Sequence, residues 1–258
     1  MKKTKEEVSR RRNMILRYLE YNSRPSIEKL AQKMQTSTIT IRRDLLWLQD
    51  NKYIDRSGLS TLVLNNNRSL ENIFSSTQTI EKRAIAKLAA SLVEDGDTIF
   101  LNSSSTALLM LDYLEAVQVT VITNNLKVLF AEPSEKSFII LTGGEVRMPK
   151  ESLVGDFAYD NISMVTAAKC FMGCSGINRE TGFTTAVLQE VQINRRMIER
   201  TIGKKYILAD YTKVGRTHSF LTCPLSDIDA VITDTQTSQK EIDDLIEGGV
   251  EVIIAEQI

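Results

Sequence analysis

From Glu81 to Ala255 the chain repeats one pattern: a short, nearly continuous apolar run, then a polar or amphipathic stretch. The runs lie near Thr98–Leu101, Val119–Ile122, Phe138–Leu141, Lys169–Met172, Tyr206–Ala209, Ala230–Thr233 and Val250–Ala255. Between them, helical spacing occurs near Glu81–Val93, Ser105–Leu114, Leu126–Ala131, Leu188–Thr201 and Gln239–Glu247. Strands apolar on both faces must be covered on both faces, and helical crossovers do this when the strands run parallel. The pattern therefore predicts an α/β domain with a mostly parallel sheet over residues 80–258.

The first 62 residues do not share this pattern. Ser26–Leu48 reads as two short helices broken near Gln35–Thr36, with Ser26 as an N-cap behind Pro25. Ile27, Leu30, Ala31 and Met34 form one apolar stripe; Ile41, Leu45 and Leu48 form the other. Thr36 or Ser37 can cap the second helix. Arg43 and Thr36 lie nearly opposite its stripe, flanked by Ile39 and Thr40, a front that suits the DNA major groove. A first helix is expected over residues 5–21, with Val8, Ile15, Tyr18 and Leu19 inward. Its Arg10, Arg11, Arg12 and Arg17 are expected largely outward, where they suit phosphate contacts. After the pair, the alternation of KYIDRSGLSTLVL and its Ser57–Gly58 turn predict a small β-hairpin, the wing of a winged helix. Residues 63–79 are polar with little periodicity and read as a linker.

Charge follows the same division. Residues 1–60 carry 14 Lys and Arg against 7 Asp and Glu, a balance of +7; the remainder carries 18 against 26, or −8. A basic head on an acidic body is the footprint of a nucleic-acid-binding module joined to something else. The chain has no run long and apolar enough to span a membrane and begins with no secretion signal, so the cytoplasm is expected. Its three cysteines, Cys170, Cys174 and Cys223, fit core packing better than a disulfide framework or a structural zinc site. A single histidine, His218, excludes multi-histidine metal sites and disfavours a Ser–His–Asp hydrolase. Neither a P-loop nor a G-x-G-x-x-G is present, so no cofactor is expected.

Ligands of open α/β sheets bind at the C-terminal strand ends. Here Asn102-Ser103-Ser104-Ser105-Thr106 follows the first run and opens a helix. Hydroxyls and free N–H groups at such a place suit a phosphate. Thr123-Asn124 follows the second run and Thr142-Gly143-Gly144 the third, where absent side chains let backbone approach a ligand. Each alone serves as well for a cap or a turn; together they point to one concave site. Gly173, Gly176 and Gly182 punctuate a loop-rich stretch. Asp210 and Lys213 follow another strand: either a hydroxyl acceptor and an anion-binding ammonium, or a local ion pair.

Two sets of residues resemble a known family. Ser37-x-x-Thr40-Ile41-Arg42-Arg43-Asp44-Leu45, with Leu48 and Arg56, is similar to the signature of the DeoR family of bacterial transcriptional regulators. So are Glu81-Lys82, Asp95-Gly96-Asp97-Thr98, Thr123-Asn124, Gly143-Gly144, Gly155 and Asp210-x-x-Lys213-x-Gly215. The resemblance implies a winged helix joined to a sensor related to ribose-phosphate isomerases and CoA transferases, in which a phosphorylated sugar or related anion modulates operator binding, usually relieving repression. It implies DNA contacts by Ser37, Thr38, Thr40, Arg42, Arg43 and Arg56, and an effector pocket lined by Asn102 to Thr106, Thr123, Asn124, Gly143, Gly144, Asp210 and Lys213. The chain departs from the family at Ser57-Gly58-Leu59, where a His-Gly-Gly-Ala run is common. It departs again at Asn102 to Thr106, where the family has Asp-x-Gly-Thr-Thr.

The expected function is a DNA-binding regulator, a repressor acting as a dimer or tetramer on double-stranded operator DNA. The alternative is a sugar-phosphate isomerase or hydrolase with an appended DNA-binding head. That chemistry wants a carboxylate base, and Asn102 replaces the acid.

Overall fold

The computed structural model describes residues 8, 11–12, 14–16, 18–19, 25–50, 54–56, 62–64, 76–131, 137–148 and 150–256. The chain divides into two compact units, Met1–Ser75 and Ser76–Ile258.

In the first unit the described residues between 8 and 19 are helical. Helix α1 (Ile27–Lys33) follows, with the Ser26 hydroxyl accepting from the Lys29 N–H at 3.2 Å. The break falls where expected and has a specific form. Thr36 N–H donates to Ala31 O at 2.9 Å and Gln35 N–H to Gln32 O at 3.1 Å, with Gln35 at φ 47°. This is the Schellman arrangement, built with glutamine where glycine is usual. Helix α2 (Thr38–Asp50) is capped by Ser37, whose Oγ accepts from the Thr40 N–H at 3.2 Å. Strands β1 (Ile54–Arg56) and β2 (Leu62–Leu64) pair antiparallel as the wing, so β2 runs two residues past the expected boundary at 62. The Ser57–Gly58 turn lies outside the described residues. Ile15, Tyr18, Leu19, Leu30, Ala31, Ile41, Leu45, Leu48 and Ile54 make one buried core, which joins both helical stripes to the first helix and the wing.

The second unit opens with α3 (Ser76–Ala90), so the last four residues of the expected linker are helical. Its main sheet has seven parallel strands: β3 (Thr98–Leu101), β4 (Thr120–Thr123), β5 (Phe138–Leu141), β8 (Lys169–Gly173), β11 (Lys205–Leu208), β13 (Ala230–Asp234) and β14 (Glu251–Ala255). Their order across the sheet is β14-β13-β11-β8-β3-β4-β5. Around it pack α4 (Ser105–Leu109), α5 (Asp156–Ser163), α6 (Leu188–Glu199) and α7 (Gln239–Glu247). The inner runs became strands because both faces are covered: Phe100, Ile122, Cys170, Met172, Ile207 and Val231 share one buried cluster on one face, and the alternate residues Ile99, Leu101, Val121, Phe171 and Ile232 are buried on the other.

Three features differ from expectation. The stretch 126–131 is a 3₁₀ segment, Leu126–Phe130, rather than an α-helix. Residues read as loop around Gly176 and Gly182 form β9 (Gly176–Asn178) and β10 (Gly182–Thr185), which with β12 (Phe220–Cys223) make a second, antiparallel sheet. Helix α5 and the hairpin of β6 (Glu145–Arg147) with β7 (Ser152–Val154) were not foreseen. Short strands offer too few residues for a period to show.

The Asp95-Gly96-Asp97 turn lies at the opposite end of the sheet from the strand C-termini. Asp97 accepts from the Glu94 N–H at 2.9 Å and holds the Lys169 ammonium at 2.9 Å, while Gly96 takes φ 80°. That motif is structural. No helix among the described residues is long and apolar enough to cross a membrane.

Candidate DNA-reading face and effector site

The face of α2 away from its core carries Ile39, Arg42 and Arg43, all exposed. Among the described residues neither Arg42 nor Arg43 makes a hydrogen bond or ion pair, so both guanidinium forks are open to bases or phosphates. Ser37 and Thr40 share a 2.9 Å hydroxyl contact at the helix start. Ser37 therefore works first as a cap, with Thr38 partly exposed beside it. The Arg56 side chain lies outside the described residues.

The arginines of the first helix need correcting. Arg11 and Arg12 were expected outward, and both turn to the buried Asp44 of α2: Nε–Oδ2 at 2.6 Å and Nε–Oδ1 at 3.0 Å. Arg12 also lies 4.0 Å over the Trp47 ring. The Asp44 of the T-I-R-R-D-L run thus clamps the first helix to α2, and these two arginines are not available to phosphates. Arg10 and Arg17 lie outside the described residues.

In the second unit the expected pocket residues gather at the C-terminal ends of neighbouring strands, but their roles divide. The Asn102 amide is fully spent on protein: Nδ2 donates to Gly173 O at 2.8 Å and to Asn194 Oδ1 at 3.2 Å, and Oδ1 accepts from Gly173 N–H at 3.0 Å. An aspartate here would lose both donors and set its charge against the Gly173 carbonyl. The departure from the family pattern is therefore matched by Asn194. Ser104 likewise needs no glycine, because it is an ordinary extended N-cap (φ −70°, ψ 141°). Its Oγ accepts from the Thr106 and Ala107 N–H groups at 3.1 and 3.5 Å, so the free amides expected for a phosphate are already capped. The hydroxyl occupies the space that a Cβ on Gly173 would need, 1.9 Å away.

Thr123 Oγ1 accepts from the Asn125 N–H at 3.1 Å and shapes its own turn. Gly144 also differs from expectation: at φ 107° its missing Cβ makes room for Val154 O and Ala158, not for a ligand. Gly143 takes φ 69°, a left-handed turn beside Asn161 in which a Cβ would meet only ordinary contact.

What remains is a row of unspent buried polar atoms. Among the described residues, Thr106 Oγ1, Asn124 Oδ1, Ser152 Oγ and Asp210 Oδ2 have no hydrogen-bond partner. Native proteins tolerate few such atoms without a ligand or an ordered water to meet them. Ser152 and Arg147 form the closing pair of the β6–β7 hairpin. Arg147 lies 4.0 Å and Lys150 3.5 Å from the buried Glu190 carboxylate, which also accepts from Ser103 at 3.4 Å and Thr185 at 3.1 Å.

At the ends of β11 and β13 lies the cationic end of the row. Asp210 Oδ1 accepts from the Thr212 N–H at 3.1 Å and from the Thr212 hydroxyl, while Oδ2 stands 3.5 Å from the Lys213 ammonium. That distance is an ion pair without hydrogen-bond geometry, so the oxygen stays open as an acceptor. Lys82 is buried nearby. Its pKa is lowered by burial first, then by repulsion from Lys213, with Asp210 opposing. Beneath them Asp234 accepts from Tyr211 and Gln236 N–H at 2.8 and 2.9 Å, and burial raises its pKa. Gln236 in turn donates to Glu81. β11 and β3 are two strand spacings apart, roughly 10 Å, the length of a small phosphorylated sugar.

Sequence reasoning placed Asp210, Lys213 and the loops correctly at one sheet edge. It did not single out Lys82, Arg147, Ser152, Glu190 or Asn194. Only Lys82 left a signal, as half of the Glu81-Lys82 pair. The three cysteines are buried and free, and burial pushes each thiol up to about 12.

Residues 11–57 match the DeoR-like helix-turn-helix domain and residues 77–235 the DeoR C terminal sensor domain. The HTH-type transcriptional repressor GlcR of Bacillus subtilis (strain 168) is 32% identical over 94% of this chain and 95% of its own. The HTH-type transcriptional regulator GolR of Listeria innocua is 31% identical over 95% and 98%. Among solved structures, ribose 5-phosphate isomerase A from Methanocaldococcus jannaschii is 18% identical with a TM-score of 0.38, over 54% of this chain and 55% of that one. With an open arginine face on a helix-turn-helix, a sensor sheet matched across most of its length, and relatives similar from end to end, the chain belongs to the DeoR family of transcriptional regulators.

Proposed function

We propose that the protein represses transcription by gripping a two-fold operator through α2, and that a phosphorylated sugar binding the sensor changes that grip. The observation that carries the reading is that Lys213 and the buried Lys82 both act on Asp210, whose Oδ2 is open, at the same end of the sheet as the unspent hydroxyl of Thr106. Two ammonium groups suit a phosphate, and a lone carboxylate oxygen suits a sugar hydroxyl. Relatives named as lactose phosphotransferase system repressors in Staphylococcus aureus support the sugar class. DNA contacts fall to Arg42, Arg43, Thr38 and Thr40, with Ser37 positioning them. Effector contacts fall to Ser105, Thr106, Asn124, Asp210, Lys213 and Lys82. The sensor is proposed to bind without turnover, since Asn102 stands where the carboxylate base would be. One winged helix supplies little affinity alone, so the acting species is a homo-oligomer, a dimer or tetramer, working in the cytoplasm where its operator is.

The test is a melting-temperature panel of phosphorylated sugars, the same sugars unphosphorylated, and inorganic phosphate, run beside operator anisotropy. A ligand at a hundred times its Kd stabilises by about 2.7 kcal/mol and raises the transition. The expected result is a shift with a phosphorylated sugar and a matching change in operator affinity. No shift with any phosphorylated sugar, or a shift that leaves DNA binding untouched, overturns the reading.

A further inference from the structure

One edge of the second unit is apolar and open. β5 ends the seven-stranded sheet. Phe138 and Thr142 donate their N–H groups toward β4, so the alternate N–H groups, Ile139 and Leu141, turn outward with no strand among the described residues to meet them. Phe138 pairs in register with Thr120 and Ile140 with Ile122. In-register neighbours share a face, so Phe138 and Ile140 lie on the face where Ile122 joins the buried cluster that includes Ala158 and Ile162 of α5. Asn161 of α5 donates to Thr142 O at 2.8 Å and ties that helix to the end of β5. Phe157, Asn161 and Met164 stand four and three residues apart, so Phe157 and Met164 lie on the β5 side of the helix. Beside them the β6 hairpin presents Val146 and Met148. These six apolar side chains are between 49% and 79% exposed.

We infer that this edge is the surface on which a second copy of the chain docks, β5 beside its own symmetry mate about a two-fold axis. At about 150–250 Å² for a large side chain, the six expose roughly 700 Å². That exceeds the roughly 300–600 Å² of a typical monomer's largest patch and matches the ~800 Å² each partner of a standard interface contributes. An open strand edge is self-complementary when two copies meet antiparallel, which a two-fold axis provides. The segment Phe138–Leu141 also carries none of the charges by which proteins usually guard a bare edge. The inference rests on the proposal that the repressor acts as an oligomer, and it assigns that assembly a face.

The experiment is sedimentation of the full chain, wild type against Phe157→Glu and Ile140→Lys. The expected result is that each variant has half the wild-type mass, with unchanged far-UV circular dichroism. A variant that keeps the wild-type mass overturns the inference and leaves the oligomeric reading standing; a monomeric wild type overturns both. Should the charged variants not fold, Ile140→Cys decides. The native thiols are all buried, so the introduced one alone is exposed, and mild oxidation is expected to give a disulfide-linked dimer. No linked dimer from an oligomeric protein overturns the proposed face. So does protection of the outward Ile139 and Leu141 amides from hydrogen exchange that persists in a monomeric species, since it would mean the edge is already covered without a second copy.

Discussion

Replacing Asp44 with alanine tests the architecture of the head. Asp44 is buried and accepts the Nε–H of Arg11 at 2.6 Å and of Arg12 at 3.0 Å. The two halves are unequal. Arg12 is more exposed and keeps the Trp47 ring, so its share is that of a surface pair, about 0–1 kcal/mol. Arg11 has no such outlet: without Asp44 its guanidinium is left charged and buried, which costs about 3–5 kcal/mol. A unit of this size is stable by roughly 0.05–0.15 kcal/mol per residue, so Asp44→Ala is expected to bring the head close to unfolding at 25 °C. Trp47 is the chain's single tryptophan and lies under Arg12, so its fluorescence in urea follows the head alone. The double variant Arg11→Met with Asp44→Leu removes both charges together and is expected to recover most of the loss. A midpoint shift worth under 1 kcal/mol, or a double variant no more stable than the single, would refute the clamp.

Arg43→Ala is expected to weaken operator binding by about 1–3 kcal/mol in an anisotropy titration and leave the sensor's ligand-induced melting shift as it was; equal affinity removes Arg43 from the interface. Asn102→Asp exchanges two donors for a buried charge facing Gly173 O, and is expected to destabilise the second unit by about 2–3 kcal/mol, followed by circular dichroism. Wild-type stability there would show that the Asn194 pairing is incidental. Burial and Lys213 hold the Lys82 ammonium below its ordinary 10.5, so in the empty protein its charge costs stability that returns as pH rises through the lowered value. For a bound phosphate the sign reverses: loss of the Lys82 charge lowers affinity on the alkaline side, before 10.5 is reached. Lys82→Gln is expected to move that limb to higher pH, and a titration whose limb stays in place excludes Lys82 from the site.

The strands were legible because burial on both sheet faces leaves a compositional mark that needs no knowledge of neighbours. Thr98–Leu101 falls where its run was read; Phe138–Leu141 does too, although as an edge strand it leaves Phe138 and Ile140 exposed. The helix pair was legible for the same reason, each stripe being a one-dimensional trace of a single core. β9 and β10 were not, because Gly176 and Gly182 look like loop punctuation unless β12, some forty residues on, is known to lie beside them. The first-helix arginines were misread for a related reason. Periodicity gives the direction of a side chain, but the partner that draws Arg11 inward lies 33 positions away.

The same division runs through the effector site and explains its composition. Residues set by their own loop, such as Thr123 and Ser104, could be found from sequence as turn and cap formers, and that is the work they do. Residues facing a ligand are those whose atoms find no protein partner, a property no local pattern records. Thr106 and Ser104 are both hydroxyl residues of one short stretch, yet one Oγ is spent on two amides and the other on nothing. Asn102 shows why a family motif alone would mislead. Its position is the family's acid, but its amide bridges β3 to β8 and to Asn194, and the open carboxylate oxygen of this site belongs to Asp210 instead. On the proposed function, specificity for the effector rests on Asp210, Lys213 and Lys82, and substitutions among the serines of 103–105 are expected to alter the fit of the loop before they alter the charge the ligand must carry.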